Sequence, residues 1–218
     1  MIDLKNAVQE MGYTVAHIKT DSIKIPDADQ KIIDFVFEFG AKYGYEFEHE
    51  ATYPELVLFN DAVYIAKYDD KMAEKKGKAW DAVGAQFQHP YIYKTLLGDG
   101  DISFNDLLET RNVVKGDIFI KTEKGSRFVG RIGQFVPVLP GHGGGELVRR
   151  AEVVVKDKET GEERKEMKDY AVTGTKGFLW QEAELVREAG GMDAVDLRYF
   201  EELADKARAN FAKVGYDI

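Results

Sequence analysis

Hydrophobic spacing changes from helical to strand-like near the start of the chain. Apolar residues recur at intervals of three and four from Leu4 to Met11, which predicts a short helix that ends at Gly12. The stretch TVAHIKTDSIKIP follows, with two runs rich in Val and Ile on either side of the polar KTDS. This pattern predicts a β-hairpin over residues 14–25 with Asp21 at its tip.

A second helix and a set of antiparallel strands are predicted next. Apolar residues at helical spacing span residues 32–43, and Asp27 with Gln30 resembles a capping box at the start of that helix. YEFEHEATY alternates, which places Glu48 and Glu50 on one side of a strand. ELVLFNDAVYIAKY then predicts a strand pair that turns at its Asn-Asp dipeptide.

The second half of the chain begins with polar segments and becomes rich in strands. DDKMAEKKGK is charged enough to predict an exposed loop, and SFNDLLETRNV predicts a helix that starts near Ser103 and Asp106. DIFIKT, SRFVGRIGQFVPV and AEVVVKD, with a turn at KETGEE (residues 158–163), predict a small β-subdomain. Helical spacing after Asp196 predicts a C-terminal helix.

These elements predict an α+β protein. We expect an antiparallel sheet with packed helices over residues 1–68 and a connecting segment over residues 69–117. Residues 118–218 then hold the small β-subdomain and the terminal helices.

Composition narrows the possible classes of protein. The chain has 218 residues and is 44% hydrophobic, so it can bury a proper core. No apolar run approaches the ~20 residues of a membrane span, and the first residues are amphipathic, so we expect a cytoplasmic protein without a membrane partner. Without cysteine, any metal must be bound by oxygen or histidine ligands. His17, His49, His89 and His142 show no zinc-ligand spacing, so we expect structural roles for them.

The charge is unevenly distributed along the chain. Its formal net value is -9, yet residues 1–110 hold 11 basic against 20 acidic residues and residues 111–218 hold 19 of each. Residues 111–150 hold eight basic and three acidic residues, which indicates a phosphate-facing surface or, alternatively, an ordinary solvated face. The candidate phosphate-binding residues within this segment are Arg127, Arg131, Arg149 and Arg150.

The first part of the chain resembles a known family of enzymes. A helix, a hairpin bearing KTDSIKI, a long helix, FEHEATY and LFNDAVYIAKY resemble the later part of the palm of family B DNA polymerases of the bacteriophage type. That family carries Tyr-Gly-Asp-Thr-Asp-Ser on such a hairpin, and Asp21 occupies the position of its second acid. The resemblance implies that Asp21 is catalytic and binds Mg²⁺, with Lys19, Thr20 and Ser22 flanking it. Without the resemblance, an aspartate at this place is most simply a turn residue.

The resemblance extends to the rest of the chain with less specific motifs. PYIYKTLL, RFVGRIGQFVPV and AVTGTKGFLW are similar to the thumb-side region of the same polymerases, which implies that Lys176 contacts the DNA backbone. Tyr64 corresponds to the tyrosine of the family's primer-gripping Lys-Lys-Arg-Tyr, and Lys67 follows it as another DNA-binding candidate. Glu50 could serve as a further metal ligand, although surface alternation also explains it. The glycine-rich PGHGGGE and TGTKG are read as ordinary turns rather than phosphate loops.

Three departures from the family pattern define the expected function. Lys19 replaces the first acid of the motif, and Asp61-Ala62-Val63-Tyr64 keeps only the tyrosine of Lys-Lys-Arg-Tyr. The chain also has neither Asp-x-x-Ser-Leu-Tyr-Pro nor Lys-x-x-x-Asn-Ser-x-Tyr-Gly. We therefore expect the C-terminal subunit or fragment of a split DNA-directed DNA polymerase. Its expected partners are a complementary N-terminal polymerase chain, primer–template DNA and deoxynucleoside triphosphates, with two Mg²⁺ ions as cofactor. Met1 precedes the helix that leads into the hairpin, as a natural gene break would place it.

Two alternatives remain open from the sequence. A non-catalytic DNA-binding or assembly subunit of a replication complex would use Asp21 only to shape its turn. A metal-dependent nuclease is a more distant third possibility.

Overall fold

The computed structural model describes residues 1–98, 100–156 and 161–218. Within these ranges the chain forms α-helices, short 3₁₀ helices and antiparallel sheets, so the α+β class is confirmed. The chain divides into two compact units: residues 1–88 with residues 210–218, and residues 89–209. The division into palm, connecting and thumb-like regions stays a prediction. No helix in the described part is long and apolar enough to cross a membrane.

The first unit contains three α-helices, a hairpin, a three-stranded sheet and a short 3₁₀ helix. In chain order its elements are α1 (Ile2–Glu10), β1 (His17–Ile18), β2 (Ile23–Lys24), α2 (Gln30–Lys42), β3 (Glu55–Asn60), β4 (Val63–Lys67), α3 (Asp70–Lys76), β5 (Trp80–Val83) and a 3₁₀ helix (Ala85–Phe87). Strands β1 and β2 form the predicted hairpin, and the sheet has the antiparallel order β3-β4-β5.

Helices α1 and α2 pack through the apolar faces that their spacing predicts. Leu4 and Val8 of α1 form a buried cluster with Ile32 and Val36 of α2. The predicted capping box at the start of α2 is wrong in position, because Asp29 is the N-cap and its carboxylate accepts from the Ile32 amide at 3.0 Å. Asp27 and Gln30 have other roles. Asp27 adopts a left-handed turn with φ 51°, and the Gln30 side chain donates to Asp34.

Two other predictions for the first unit are wrong. The charged segment DDKMAEKKGK forms α3 instead of a loop, because Asp69 caps its first turn and Gly77 ends it in the left-handed conformation. Residues 45–54, expected to include a strand, contain no strand pairing. Alternation of polar and apolar residues does not by itself supply a partner strand for backbone hydrogen bonds.

The second unit is built mainly from two antiparallel sheets. In chain order its elements are α4 (Pro90–Leu96), a 3₁₀ helix (Phe104–Leu107), β6 (Glu109–Asn112), β7 (Asp117–Thr122), β8 (Gly125–Gly130), β9 (Ile132–Val138), β10 (Glu146–Lys156), β11 (Glu163–Ala171), β12 (Leu179–Glu182), α5 (Ala183–Glu188), a 3₁₀ helix (Gly191–Ala194) and α6 (Arg198–Lys213), whose last four residues belong to the first unit. One sheet has the order β11-β10-β7-β8 and the other β12-β9-β6.

A single buried core holds the second unit together. Trp180 and Phe135 from the three-stranded sheet pack with Phe200 of α6, and all three are fully buried. The β-rich region and the C-terminal helix are as predicted, and Asp196 accepts from the Arg198 amide in the first turn of that helix. Part of the predicted KETGEE turn, residues 158–160, lies outside the described residues.

The helix predicted near Ser103 is wrong in type and length. Ser103 and Asp106 form a reciprocal capping box, but it introduces one 3₁₀ turn only. The chain then becomes strand β6, because Glu109–Asn112 pairs with β9.

Candidate functional site

The hairpin presents Asp21 at an exposed tip. His17 pairs with Lys24 and Ile18 with Ile23, and the Lys19 amide donates to the Ser22 carbonyl at 2.9 Å. Thr20 and Asp21 are therefore the two central residues of a tight turn, and both are exposed. A short turn of this kind fixes the backbone position from which the Asp21 side chain extends into solvent.

His17 ties the hairpin to the three-stranded sheet. Its side chain is 4% exposed, and its Nε2–H donates to the carbonyl oxygen of Asp61, in the β3–β4 turn, at 2.8 Å. Its ring lies 5.2 Å from the ring of Tyr64 on β4. This histidine has the structural role predicted for it, and it sets where Asp21 stands relative to the sheet.

Two lysines of the hairpin lie over the same tyrosine ring. Lys24 Nζ is 4.5 Å and Lys19 Nζ 5.3 Å from the centroid of the Tyr64 ring. Lys24 Nζ also lies 6.0 Å from the ring of Tyr53. These are cation–π distances, so the aromatic faces stabilise two like charges side by side.

Carboxylates surround these lysines. Burial lowers the pKa of Lys24, and Lys19 lowers it further. The negative charges of Asp81, Glu50 and Asp21 act in the opposite direction. Lys24 therefore lies in a mixed environment, where burial and Lys19 disfavour its charged form and the nearby carboxylates favour it.

Tyrosines complete the surroundings of Lys24. Burial, followed by the charge of Asp81, raises the pKa of Tyr64 to about 12 and also raises the pKa of Tyr53 and Tyr68. The rings of Tyr53 and Tyr68 lie 5.5 Å apart. These phenols stay protonated at neutral pH and can donate hydrogen bonds to an anion. The hairpin cluster is the set Lys19, Asp21, Lys24, Glu50, Tyr53, Tyr64, Tyr68 and Asp81.

The structure brings some of the predicted palm residues together and leaves one apart. Asp21, Lys19 and Tyr64 belong to the hairpin cluster, and Glu50 belongs to it through its charge although it stands in an irregular segment. Lys67, three residues beyond Tyr64, points to the other face of β4, and its Nζ lies 5.8 Å from the ring of Trp80.

Four members of the cluster were missed by sequence reasoning. Lys24 belongs to the KTDSIKI stretch, and its position opposite His17 follows from the predicted hairpin, but no local pattern assigns it a function. Asp81, Tyr53 and Tyr68 carry no local pattern that connects them with the hairpin. Asp81 reaches the cluster because β5 pairs with β4 and places it opposite Ala66.

The predicted phosphate-binding arginines of the second unit differ in whether carboxylates already pair with them. Arg127 forms an ion pair with Glu182 and donates to Gln181, and Arg150 is bidentate to Asp169 at 2.7 and 2.9 Å. Such pairs use up the donors that would otherwise meet phosphate.

Three other basic residues of the second unit have weaker contacts with carboxylates or none among the described residues. Arg131 lies 3.8 Å from Asp117 and is well exposed, and Lys176 is exposed in a turn. Arg149 is half-buried with its guanidinium 4.9 Å from the ring of Tyr170. Arg127 and Arg131 do not share a strand, because β8 ends at Gly130 and Arg131 lies between β8 and β9.

Within the described ranges, no three His, Asp or Glu side chains are arranged as a complete metal site. No family model, curated protein or solved structure matches this chain. The geometry of the hairpin cluster therefore carries the functional argument.

Proposed function

We propose that this chain is the C-terminal part of a family B DNA-directed DNA polymerase that works only with a complementary N-terminal chain. It supplies one Mg²⁺-binding carboxylate, Asp21, and contacts to duplex DNA. In this proposal the hairpin and sheet of the first unit are the later half of the palm, and the second unit is thumb-like. The supporting observation is the exposed position of Asp21 on a short hairpin that His17 anchors to the sheet.

The chemistry of nucleotidyl transfer suits such a placement. The reaction uses two Mg²⁺ ions about 3.5–4 Å apart, which activate the primer hydroxyl and stabilise the leaving pyrophosphate. Mg²⁺ is commonly held by one or two protein carboxylates together with waters and phosphate oxygens. Asp21 would hold it here with Glu50 nearby, and the partner would supply the other carboxylate.

Lys19 and Lys24 give the hairpin cluster a second role in this proposal. Lys19 occupies the position of the family's first acid, so the site has a positive charge there instead of a possible metal ligand. The two ammonium groups over Tyr64 would meet phosphate oxygens of the incoming nucleotide or of the primer strand.

A non-catalytic DNA-binding or assembly subunit is the second candidate. It is favoured by the incomplete set of metal ligands in the described part of the chain. In that case Asp21 only shapes the turn, as aspartate commonly does.

The deciding experiment is primer extension by the complemented enzyme. The chain alone, with primer–template, deoxynucleotides and Mg²⁺, should give no extension, and addition of the N-terminal part should restore it. Asp21→Asn in that complex should reduce extension by at least about a hundredfold, because a neutral amide is a much weaker Mg²⁺ ligand than a carboxylate. DNA binding should stay nearly unchanged.

Asp27→Asn is the matched control, because Asp27 is also exposed, lies close to the same hairpin and has a backbone conformation that asparagine accepts. Full activity of Asp21→Asn in an active complex would favour the non-catalytic subunit. Extension by the purified chain alone that Asp21→Ala abolishes would contradict the need for a second part.

A further inference from the structure

A cleft of ≈ 340 Å³ opens in the second unit. It lies between β6, which is the edge strand of its sheet, and the region where β10 meets the end of β11. Its polar lining is Thr110, Arg111, Asn112, Arg149 and Thr173, and the other described residues of the lining are small and apolar. The described lining therefore holds two cations and no carboxylate.

Arg111 is fixed in place at one side of this cleft. Its Nη2 donates to the Tyr199 hydroxyl at 2.6 Å and lies 3.2 Å from Glu109 Oε2, and the guanidinium carbon is 5.7 Å from the ring centroid of Trp180. Its Nε is buried and has no hydrogen-bond partner among the described residues. The side chain is thus oriented in advance by Tyr199, Glu109 and Trp180, and part of its charge is already matched by Glu109.

Arg149 contributes a second cation with no ion-pair partner. It is half-buried, its guanidinium stacks 4.9 Å from the ring of Tyr170, and no carboxylate of the described chain lies within salt-bridge distance. Its neighbour Arg150 is fully paired with Asp169. The contact with the aromatic ring offsets part of the lost solvation, but this half-buried charge has no counter-ion among the described residues, so a ligand anion would stabilise it.

Small donors stand beside the two guanidinium groups. Thr110 and Thr173 bring hydroxyls and Asn112 an amide. A Cβ at Gly174 would lie 3.7 Å from Arg111 Nη2, so the TGTKG segment passes close to the guanidinium. This segment, taken from the sequence as an ordinary turn, is part of the rim of a cationic cleft.

We propose that this cleft binds a phosphate group, either as a free phosphate or pyrophosphate ion or as a phosphate of a nucleic-acid strand. Guanidinium groups present planar pairs of donors that match phosphate oxygens, and hydroxyls supply the additional hydrogen bonds. The inference rests on the lining of the cleft and uses no residue of the hairpin cluster, although Arg149 is also one of the phosphate-binding residues predicted from the sequence.

The test uses the full chain and the position of Trp180 beside Arg111. The chain has two tryptophans, so Trp80→Phe leaves Trp180 as the fluorescent reporter. Inorganic phosphate, pyrophosphate and a short single-stranded oligonucleotide are titrated separately at constant ionic strength, with chloride as the reference anion. We expect saturable binding of at least one probe, weakened by about tenfold or more in Arg149→Gln. Arg149→Lys should lose less affinity than Arg149→Gln, because lysine keeps the positive charge.

Lys124→Gln is the charge-matched control, because Lys124 is exposed in the β7–β8 turn and does not line the cleft. Binding of the free ions alone assigns the cleft to a free anion, and tighter binding of the oligonucleotide assigns it to a strand. The proposal is overturned if no probe binds saturably or if Arg149→Gln binds like Lys124→Gln. Should Arg149→Gln fail to fold, Arg149→Lys and Thr173→Val decide by the same criterion.

Discussion

At the scale of single residues, the hairpin cluster depends on contacts that cross large distances in the sequence. The ring of Tyr64 lies within contact distance of three hairpin side chains, those of Lys19, Lys24 and His17. Of these, His17 makes the directional contact, because a buried N–H bonded to a carbonyl fixes an orientation as well as a distance. The position of Asp21 is therefore controlled by a residue four places away.

Replacing this histidine should loosen the hairpin. His17→Phe keeps the ring contact with Tyr64 but removes the donor to Asp61, so we expect a loss of about 1 kcal/mol in the free energy of unfolding. Urea denaturation measures this loss. Extension by the complemented enzyme should fall as well, although Asp21 is unchanged.

His49→Phe is the control, because His49 is exposed and its side chain hydrogen-bonds only to Thr52, at 3.3 Å, among the described residues. It should change stability by less than about 0.5 kcal/mol. Equal stability of the two variants would show that the His17 contact does not hold the hairpin.

At the scale of elements, the β6–β7 connection passes very close to the backbone of β10. Gly116 has φ 77°, and a Cβ there would collide with the carbonyl oxygen of Arg150 on β10. The turn therefore needs glycine for its backbone conformation and for the space. It also starts β7 in register with β10, where Asp117 pairs with Arg150.

Gly116→Ala should destabilise the second unit by about 2–4 kcal/mol, because a backbone penalty and a steric clash add. Gly177→Ala is the matched control, since Gly177 also has a positive φ but an added Cβ would have no atom within 4 Å. It should cost only about 1 kcal/mol. Thermal unfolding of both variants measures the difference, and similar losses would contradict the clash.

At the scale of the whole molecule, three ionisable groups of the second unit make stability decrease on acidification. Burial lowers the pKa of His89, although the nearby Glu109 opposes the effect. Hydrogen bonds from Arg150 and Arg198 lower the pKa of Asp169 and Asp196. In each case the unfolded chain binds protons more readily than the folded chain, so stability decreases as the pH falls.

Acidification should therefore destabilise the protein in two steps. The first step begins as the pH falls through about 6.5, where the unfolded histidine takes up a proton, and the second begins near about pH 4, where unfolded carboxyls do so. Urea midpoints measured across this range record both steps. His89→Asn, which keeps a capping side chain at the start of α4, should remove much of the first step. An unchanged profile in that variant would assign the first step to another group.

The sequence by itself determined the features that depend on neighbouring residues. Apolar spacing predicted α1, α2 and α6, and the β-branched runs around KTDS predicted the hairpin with Asp21 at its tip. These predictions succeeded because period and turn chemistry act within a few residues. The charged helix α3 could also have been found, since Asp69 and Gly77 are a local start and stop signal.

Tertiary structure alone decided which charges meet. Asp81 reaches Lys24 through the pairing of β4 with β5, and Arg150 is neutralised by Asp169 because β10 and β11 place them opposite each other. The adjacent Arg149 points to the other face of the same strand and keeps its charge for the cleft. Strand register sets these partnerships, and a shift of one residue would exchange the two arginines, which is why local sequence patterns do not contain them.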